Sequence, residues 1–299
     1  MEKKNILVTG GAGFIGSHVV EAYIAAGHHV VVVDTAASHP VDILDKKKLT
    51  ELFAKEKLDI VNHHAAQIDV NSSIAHRGAD ATINIIGTIN LLELCSQFNV
   101  KQFIFASSAA IYGSHEPGIG GLTENLESKP LSPYGISKRT AEDYVRNAGL
   151  LFGLKYVILR YPNVFGPRQT SGDGGVISIF TKKMLNNEDV TIFGSGDQTR
   201  DFLFVEDAAQ ANVKALGRTA DHATLNIGTG KSTSIKELFG ILKDFTGYRK
   251  NFVSAPKRKG EVRHSRFDIR EARTSIGWIP TTELKDGLKK TIEYFNHAH

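Results

Sequence analysis

Val8-Thr9-Gly10-Gly11-Ala12-Gly13-Phe14-Ile15-Gly16 joins an apolar run directly to a glycine-spaced turn and the start of a helical pattern. Asn5 to Thr9 reads as a short buried strand, and Ile15 to Ala26 sets Val19, Val20, Tyr23 and Ile24 at helical spacing before Gly27 as a stop. In this order Gly10 permits the tight turn, Gly13 lets the backbone approach an anion, and Gly16 lets helix and strand pack closely. Phe14 and Ile15 open the helix, so its free N–H groups and the positive end of its dipole face a pyrophosphate. A second apolar run, His28 to Val33, ends at Asp34. An acid about 20 residues beyond the glycines suits the ribose hydroxyls of NAD and repels the extra phosphate of NADP.

The rest of the chain has the composition of an ordinary globular protein. Its 299 residues can bury a core in one large domain or two unequal ones. With 41% hydrophobic and 23% charged residues and no apolar run of membrane-spanning length, a membrane protein is not expected. Met1-Glu2-Lys3-Lys4 leads straight into the first strand, an arrangement expected of a cytoplasmic protein without a signal peptide. The single cysteine, Cys95, excludes an internal disulfide and a cysteine metal cluster; its place beside Leu91 and Leu92 reads as core, and no metal is expected. A net charge of +4, spread along the chain, gives no nucleic-acid surface. The densest basic run, Lys46-Lys47-Lys48, opens a helical stretch to Lys57 and reads as a solvated face.

Strand-like and helical runs alternate through the first half: Asp59 to His63, Thr82 to Phe98 as helix, Gln102 to Ser107, Ala141 to Phe152 as helix, and Lys155 to Arg160. That alternation predicts a parallel sheet covered on both faces. After Arg160 the texture becomes richer in Gly and Pro, and a second, irregular, ligand-facing region is expected from residue 162, with segments such as 200–228 returning to the first. Only seven residues separate Asp34 from Asp42, too few for the helix and strand of a complete crossover.

Ser132-Pro133-Tyr134-Gly135-Ile136-Ser137-Lys138 puts a tyrosine and a lysine four apart, and Ala141, Tyr144 and Val145 continue a helix on which they share a face. A phenol is a poor base at neutral pH, but an adjacent ammonium and the positive nicotinamide of NAD⁺ would stabilise its phenolate. Upstream, Phe103-Ile104-Phe105-Ala106-Ser107-Ser108 is a buried strand ending in two hydroxyls at the carboxyl end, where doubly wound sheets bind ligands. Ser108 is therefore a candidate to bind a substrate oxygen. A Tyr-x-x-x-Lys pair alone carries little weight; the glycine turn, the Ser-Ser strand end and the pair together point to one site.

On these residues the chain resembles the extended short-chain dehydrogenase/reductase superfamily, specifically its NAD-dependent nucleotide-sugar epimerases and dehydratases. The resemblance implies an α/β fold, a doubly wound Rossmann parallel sheet over 1–161 with a smaller, irregular α/β substrate region over 162–299. It assigns Asp42 and Ile43 to adenine and lays Ala65, Ala66 and Gln67 of His63-His64-Ala65-Ala66-Gln67 along the cofactor, with Asn84 in the following helix. Tyr161 falls near nicotinamide, and Asn163 and Val176 face the sugar nucleotide. In Gly194-Ser195-Gly196-Asp197-Gln198-Thr199-Arg200-Asp201-Phe202 the family uses the arginine, here Arg200, on the diphosphate; Arg258 matches a second phosphate ligand and Glu261 an acid on the uridine ribose. A homodimer is implied too, the helices Thr82 to Phe98 and Ala141 to Phe152 pairing as a four-helix bundle.

Members of the family share hydride removal from C4 and differ in the fate of the keto sugar it leaves. Dehydratases carry Asp-Glu after the catalytic hydroxyl and decarboxylases a Glu, whereas this chain has Ser108-Ala109-Ala110-Ile111, which favours 4-epimerisation of a UDP-sugar. A dehydratase, decarboxylase or reductase is the alternative, and a non-catalytic NAD-sensing regulator the reading of a different class. Ser265 aligns with a gate whose small form admits N-acetyl sugars. Two departures stand out. The short segment after Asp34 implies that NAD exchanges more readily than in typical epimerases, and Ile68 replaces a lysine that reaches the cofactor ribose in some of them.

Overall fold

The computed structural model describes residues 2–115, 121–170, 175–216, 221–257 and 262–297. The chain runs β1 (Asn5–Thr9), α1 (Phe14–Ala25), β2 (His29–Val33), α2 (Lys46–Glu56), β3 (Ile60–His63), α3 (Val70–Ala75) and α4 (Arg77–Ala81). A π-helical turn, Thr82–Ile86, leads into α5 (Gly87–Gln97), and then come β4 (Gln102–Ser108), α6 (Pro133–Phe152) and β5 (Lys155–Tyr161). Beyond them lie β6 (Asn163–Phe165), α7 (Val176–Leu185), β7 (Thr191–Phe193), β8 (Thr199–Arg200), β9 (Phe202–Phe204), α8 (Val205–Leu216) and β10 (His222–Asn226). The described chain closes with β11 (Thr233–Ser234), α9 (Ile235–Thr246), β12 (Val253–Ala255), α10 (Arg270–Ile276) and α11 (Leu284–His297).

Six parallel strands form one sheet in the order β10-β5-β4-β3-β1-β2. Because both faces are covered, its strands are almost continuously apolar: Ile6, Leu7 and Val8 are wholly buried, as are Phe103 and Ile104. On one face Val19 and Tyr23 of α1 pack with Ala208 and Ala211 of α8 and Trp278. On the other, Leu49 and Phe53 of α2 meet Leu91 and Leu94 of α5 and Ala141 and Val145 of α6, with Cys95 among them. A separate core joins α7, α9 and α11 through Phe180, Phe239 and Leu288. It carries the two-stranded pairs β12-β7 and β6-β9, while β11-β8 lies beside it.

The expected helix Thr82 to Phe98 is interrupted at its start. The Gly87 N–H reaches back five residues to the Thr82 carbonyl, and this wider turn holds Asn84 at 2% exposure. Between Asp34 and Asp42 no strand forms; the Val41 N–H returns to the Asp34 carbonyl at 3.1 Å, and β2 remains the edge of the sheet. The strand register fixes where a site can lie. Thr9 stands opposite Val33 and His63, His63 opposite Phe105, and Ser108 opposite Tyr161, so the carboxyl ends of the central strands share one edge.

Candidate active site

At the glycine turn, Gly10 has φ +68° and passes so close to β3 that a Cβ would sit 2.6 Å from the Ala65 nitrogen. Gly16 seats α1 on the turn, where a Cβ would fall 2.0 Å from the Gly10 carbonyl oxygen. Gly13 is the N-cap of α1 and supplies no side chain to it, and the first turn carries no acid. By contrast Asp45, Asp69, Ser132 and Ser234 each cap their own helix with a side-chain oxygen. The N–H groups of Phe14 and Ile15 have no carbonyl within the helix to bond. This is a seat suited to an anion, and it fits a dinucleotide pyrophosphate.

Asp34 uses its two oxygens on the turn and on its own loop, accepting the Ala12 N–H at 3.0 Å and the Ala36 N–H at 2.9 Å. Asp42 is exposed and accepts the Leu44 N–H at 2.8 Å; Ile43 is buried among the apolar residues of α2 and α5. Ala65, Ala66 and Gln67 line the exit of β3, half-buried. A buried chain of hydrogen bonds sets that exit. The Thr88 hydroxyl donates to the Asn84 carbonyl at 2.7 Å, so it accepts from His63 Nε2 at 3.0 Å. His63 Nδ1 is then the acceptor of the Thr9 hydroxyl at 2.7 Å, and Thr9 in turn accepts the Ala65 N–H. Burial and the Lys138 charge hold His63 well below its ordinary pKa, so it is a neutral spacer. Asn84 is a bracket rather than a free amide: it accepts the Gln67 N–H at 2.8 Å and donates to the Gln67 carbonyl and to the Ser137 hydroxyl, each at 3.0 Å.

Ser132 caps α6 through the Gly135 N–H, with Pro133 at the first helical position, so the helix begins just before Tyr134. Tyr134, Lys138 and Glu142 succeed one another at intervals of four along one face. The Ser108 hydroxyl, at the end of β4, lies beside the Tyr134 phenol and eases its ionisation. Burial nevertheless pushes that phenol up to about 12, and the Asp80 charge pushes the same way. Lys138 is 4% exposed, donates to the Ala106 carbonyl at 2.9 Å and stands over the Phe105 ring, so its charge is spent against β4. Burial brings Lys138 down to about 8 against the support of Asp80 and Glu142. A further positive charge, as on oxidised nicotinamide, is what the phenol lacks for work at neutral pH.

Beneath the pair, burial would lift the Glu142 carboxyl, but the Arg160 guanidinium outweighs it and holds the group below the usual carboxylate range. Arg160 binds both oxygens at 2.9 and 2.8 Å, Arg146 adds a bond at 2.7 Å, and the Ser107 hydroxyl donates at 2.6 Å. Arg160 also donates to the Tyr112 oxygen at 2.7 Å, and Tyr112 to Asn226 at 2.7 Å. Ser107 adjoins Ser108 and Arg160 adjoins Tyr161, so this network pins α6 to the two strands that carry the site. Tyr161 is 4% exposed; its oxygen accepts from Asn212 at 2.7 Å and its ring stacks on His64.

The other wall is a strap of chain. The Thr199 N–H bonds the Arg263 carbonyl and the Ser265 N–H bonds the Thr199 carbonyl, while further along the Leu122 N–H bonds the Arg266 carbonyl and the Asp268 N–H the Leu122 carbonyl. Ser265 thus sits beside Arg200, 5% exposed, its hydroxyl without a hydrogen-bond partner among the described residues. Arg200 donates to the Thr199 carbonyl at 2.9 Å among its contacts. Asn163 opposes Phe202 in the β6-β9 pair, and Val176 opens α7, whose N-cap Gly175 provides no side chain. Arg258 and Glu261 lie outside the described residues. Asp201, given no role from the sequence, is wholly buried and accepts from Thr229 at 2.9 and 2.6 Å, from Gly230 at 3.1 Å and from Phe267 at 3.2 Å. Its neighbours in sequence hint at phosphate binding; its own task, tying three distant segments, has no local signal. Asp80, Thr88 and Glu142 were missed for the same reason.

A model of the NAD dependent epimerase/dehydratase family matches residues 6–228. The UDP-glucose 4-epimerase of Thermotoga maritima, solved with UDP-glucose, is 43% identical and superposes with a TM-score of 0.95 over 98% of this chain and 99% of that one. The Thermus thermophilus UDP-glucose 4-epimerase, in complex with NAD, is 35% identical with a TM-score of 0.92 over 99% and 100% of the two chains. The UDP-N-acetylglucosamine 4-epimerase of Methanobrevibacter ruminantium, in complex with UDP-N-acetylmuramic acid, is 33% identical with a TM-score of 0.93 over all of both chains. With these likenesses over nearly its whole length, the chain belongs to the NAD dependent epimerase/dehydratase family.

Proposed function

We infer that this chain is an NAD-dependent UDP-sugar 4-epimerase that interconverts UDP-glucose and UDP-galactose and, through the small Ser265, accepts UDP-GlcNAc and UDP-GalNAc. One observation carries the reading: a serine hydroxyl at the carboxyl end of β4 meets a tyrosine at the amino end of α6, and the two residues after Ser108 are alanines with no carboxylate. Elimination and decarboxylation need a further acid or base there.

NAD, when bound, supplies the hydride sink and source for sugar C4 and a positive ring charge. Gly10, Gly13 and Gly16 with the Phe14 and Ile15 amides hold its pyrophosphate, Asp34 its ribose, and Asp42, Ile43, Ala65, Ala66, Gln67, Asn84 and Tyr161 shape the remaining wall. Tyr134 takes the proton of the 4-hydroxyl and returns it at the end of the cycle, Lys138 keeps the phenolate from being an isolated buried charge, and Ser108 holds the oxygen at C4. Asn163, Val176, Arg200, Arg258, Glu261 and Ser265 receive the nucleotide and its diphosphate. The two regions divide the work: residues 1–161 serve the dinucleotide and 162–299 the sugar nucleotide.

The assembly is a homodimer built on α5 and α6. Ile136, Tyr144, Leu151 and Phe152 are exposed on α6. Ile89, Leu92, Ala148 and Phe152 line a groove of about 320 Å³ between the two helices. A paired helix face buries such a stripe. No described helix is long and apolar enough to cross a membrane, in keeping with a cytoplasmic enzyme.

Incubating the protein with NAD and UDP-glucose, UDP-GlcNAc, UDP-glucuronate and dTDP-glucose, then resolving the products, tests the function. The expected products are 4-epimers with no net NADH; a keto-deoxy sugar or accumulating NADH overturns it. Ser265→Tyr is expected to lose UDP-GlcNAc while keeping UDP-glucose, and full UDP-GlcNAc activity in that variant removes the gate.

A further inference from the structure

Asp80 is a carboxylate at 1% exposure on α4, with no cation within ion-pair distance among the described residues. Its Oδ1 accepts from Gln67 Nε2 at 3.0 Å and from Asn84 Nδ2 at 3.2 Å. The same Asn84 nitrogen reaches the Ser137 hydroxyl, and Ser137, between Tyr134 and Lys138 in the sequence, donates to the Tyr134 carbonyl at 3.0 Å.

The other titratable groups around the pair are already balanced. Glu142, on the same face of α6, is neutralised by Arg160 and Arg146. His63 and His64, at the end of β3, are held neutral, His64 at about 4, chiefly by burial. Asp69 is occupied as the N-cap of α3. On α6 itself, Arg139 pairs with Asp143 on the outer face. Asp80 is the remaining buried carboxylate whose charge both Tyr134 and Lys138 meet.

We propose that Asp80 is a positioning charge for the tyrosine–lysine pair: its buried carboxylate is tied through the Asn84 amide to Ser137, between the two, and adds to burial in reserving the base for a positively charged cofactor. The proposal rests on Tyr134 being the base and Lys138 its partner. It gives the site a reason to hold a proton whenever the cofactor is reduced, since the phenolate then loses the charge that favoured it.

The test compares the pH profiles of kcat/KM for holoenzyme, Asp80→Asn, Asp80→Glu and Tyr134→Phe, with a parallel ultraviolet titration of the phenolate in protein with and without NAD. Removing the negative charge makes both Tyr134 and Lys138 more acidic. Both limbs of the profile are therefore expected to slide toward acid by about one pH unit in Asp80→Asn, with Asp80→Glu keeping the original positions. The phenolate titration, read against Tyr134→Phe, is expected to move by the same amount even without cofactor. Should Asp80→Asn not fold, Asp80→Ser gives a second neutral variant. Limbs and titration that stay in place while kcat falls reduce Asp80 to a bracket and overturn the proposal. An active Tyr134→Phe overturns it differently, by removing the assignment of the base.

Discussion

The two walls of the site are held by different means. On the cofactor side the parts are regular: a strand, a turn and a helix in sequence, with the relay Thr9–His63–Thr88–Asn84 fixing their ends. On the sugar-nucleotide side they are two- and three-residue strands and a strap, drawn together by Asp201 across 28, 29 and 66 residues of chain. Regular elements satisfy their own backbones and need only packing, whereas short strands depend on a buried side chain to complete them. The first wall is a rigid seat; the second is one that a single lost carboxylate loosens.

The sharpest blow to this contrast falls on neither wall. Tyr134→Phe removes the proton acceptor, and kcat for UDP-glucose is expected to drop about 10³-fold with NAD binding unchanged. Comparable turnover would mean that another group, on either wall, does the chemistry. Glu142→Gln comes next: it leaves Arg160 buried without its partner and is expected to cost about 3–5 kcal/mol in thermal or denaturant unfolding. If the stability were unchanged, the pinning of α6 to β4 and β5 would be decorative.

Asp201→Asn separates the walls directly. Losing a charged acceptor of four bonds is worth about 1–3 kcal/mol, so KM for the UDP-sugar is expected to rise about tenfold while NAD affinity, read by fluorescence titration, holds. An equal loss of both affinities would show the two walls to be one unit. The smallest effect belongs to the cofactor wall in acid. His63 and His64 have pKa values depressed by burial, so their neutral forms contribute stability that is complete above the unfolded value near 6.5 and is lost as the pH falls from there toward about 4. With His64 only partly covered, about 1 kcal/mol is expected across that window in unfolding titrations.

The sequence spoke plainly wherever one segment does one job. The glycine turn, its strand and helix, the edge strand after it, and the Tyr134–Lys138 spacing all rest on neighbours within a few residues, and each takes its expected place in the fold. Asn84 was legible as a position but not as a bracket, because its turn is π-helical and no local pattern announces the wider ring. Lys138 was legible as the partner of Tyr134 but not as a donor to the Ala106 carbonyl, which requires β4 to pass beneath α6. Asp80, Glu142 and Asp201 were silent, since a buried acid in a sequence looks like any surface acid. Only the elements packed around it reveal what it binds.

The uncapped start of α1 has a thermodynamic consequence. Four other helices complete their own N-termini, so their stability is internal to the polypeptide. In α1 that completion is handed to a diffusible molecule, and part of the folding free energy becomes a function of its concentration. A hundredfold excess over Kd adds about 2.7 kcal/mol. The supply of dinucleotide would then govern how much folded enzyme a cell retains, as well as how fast that enzyme turns over.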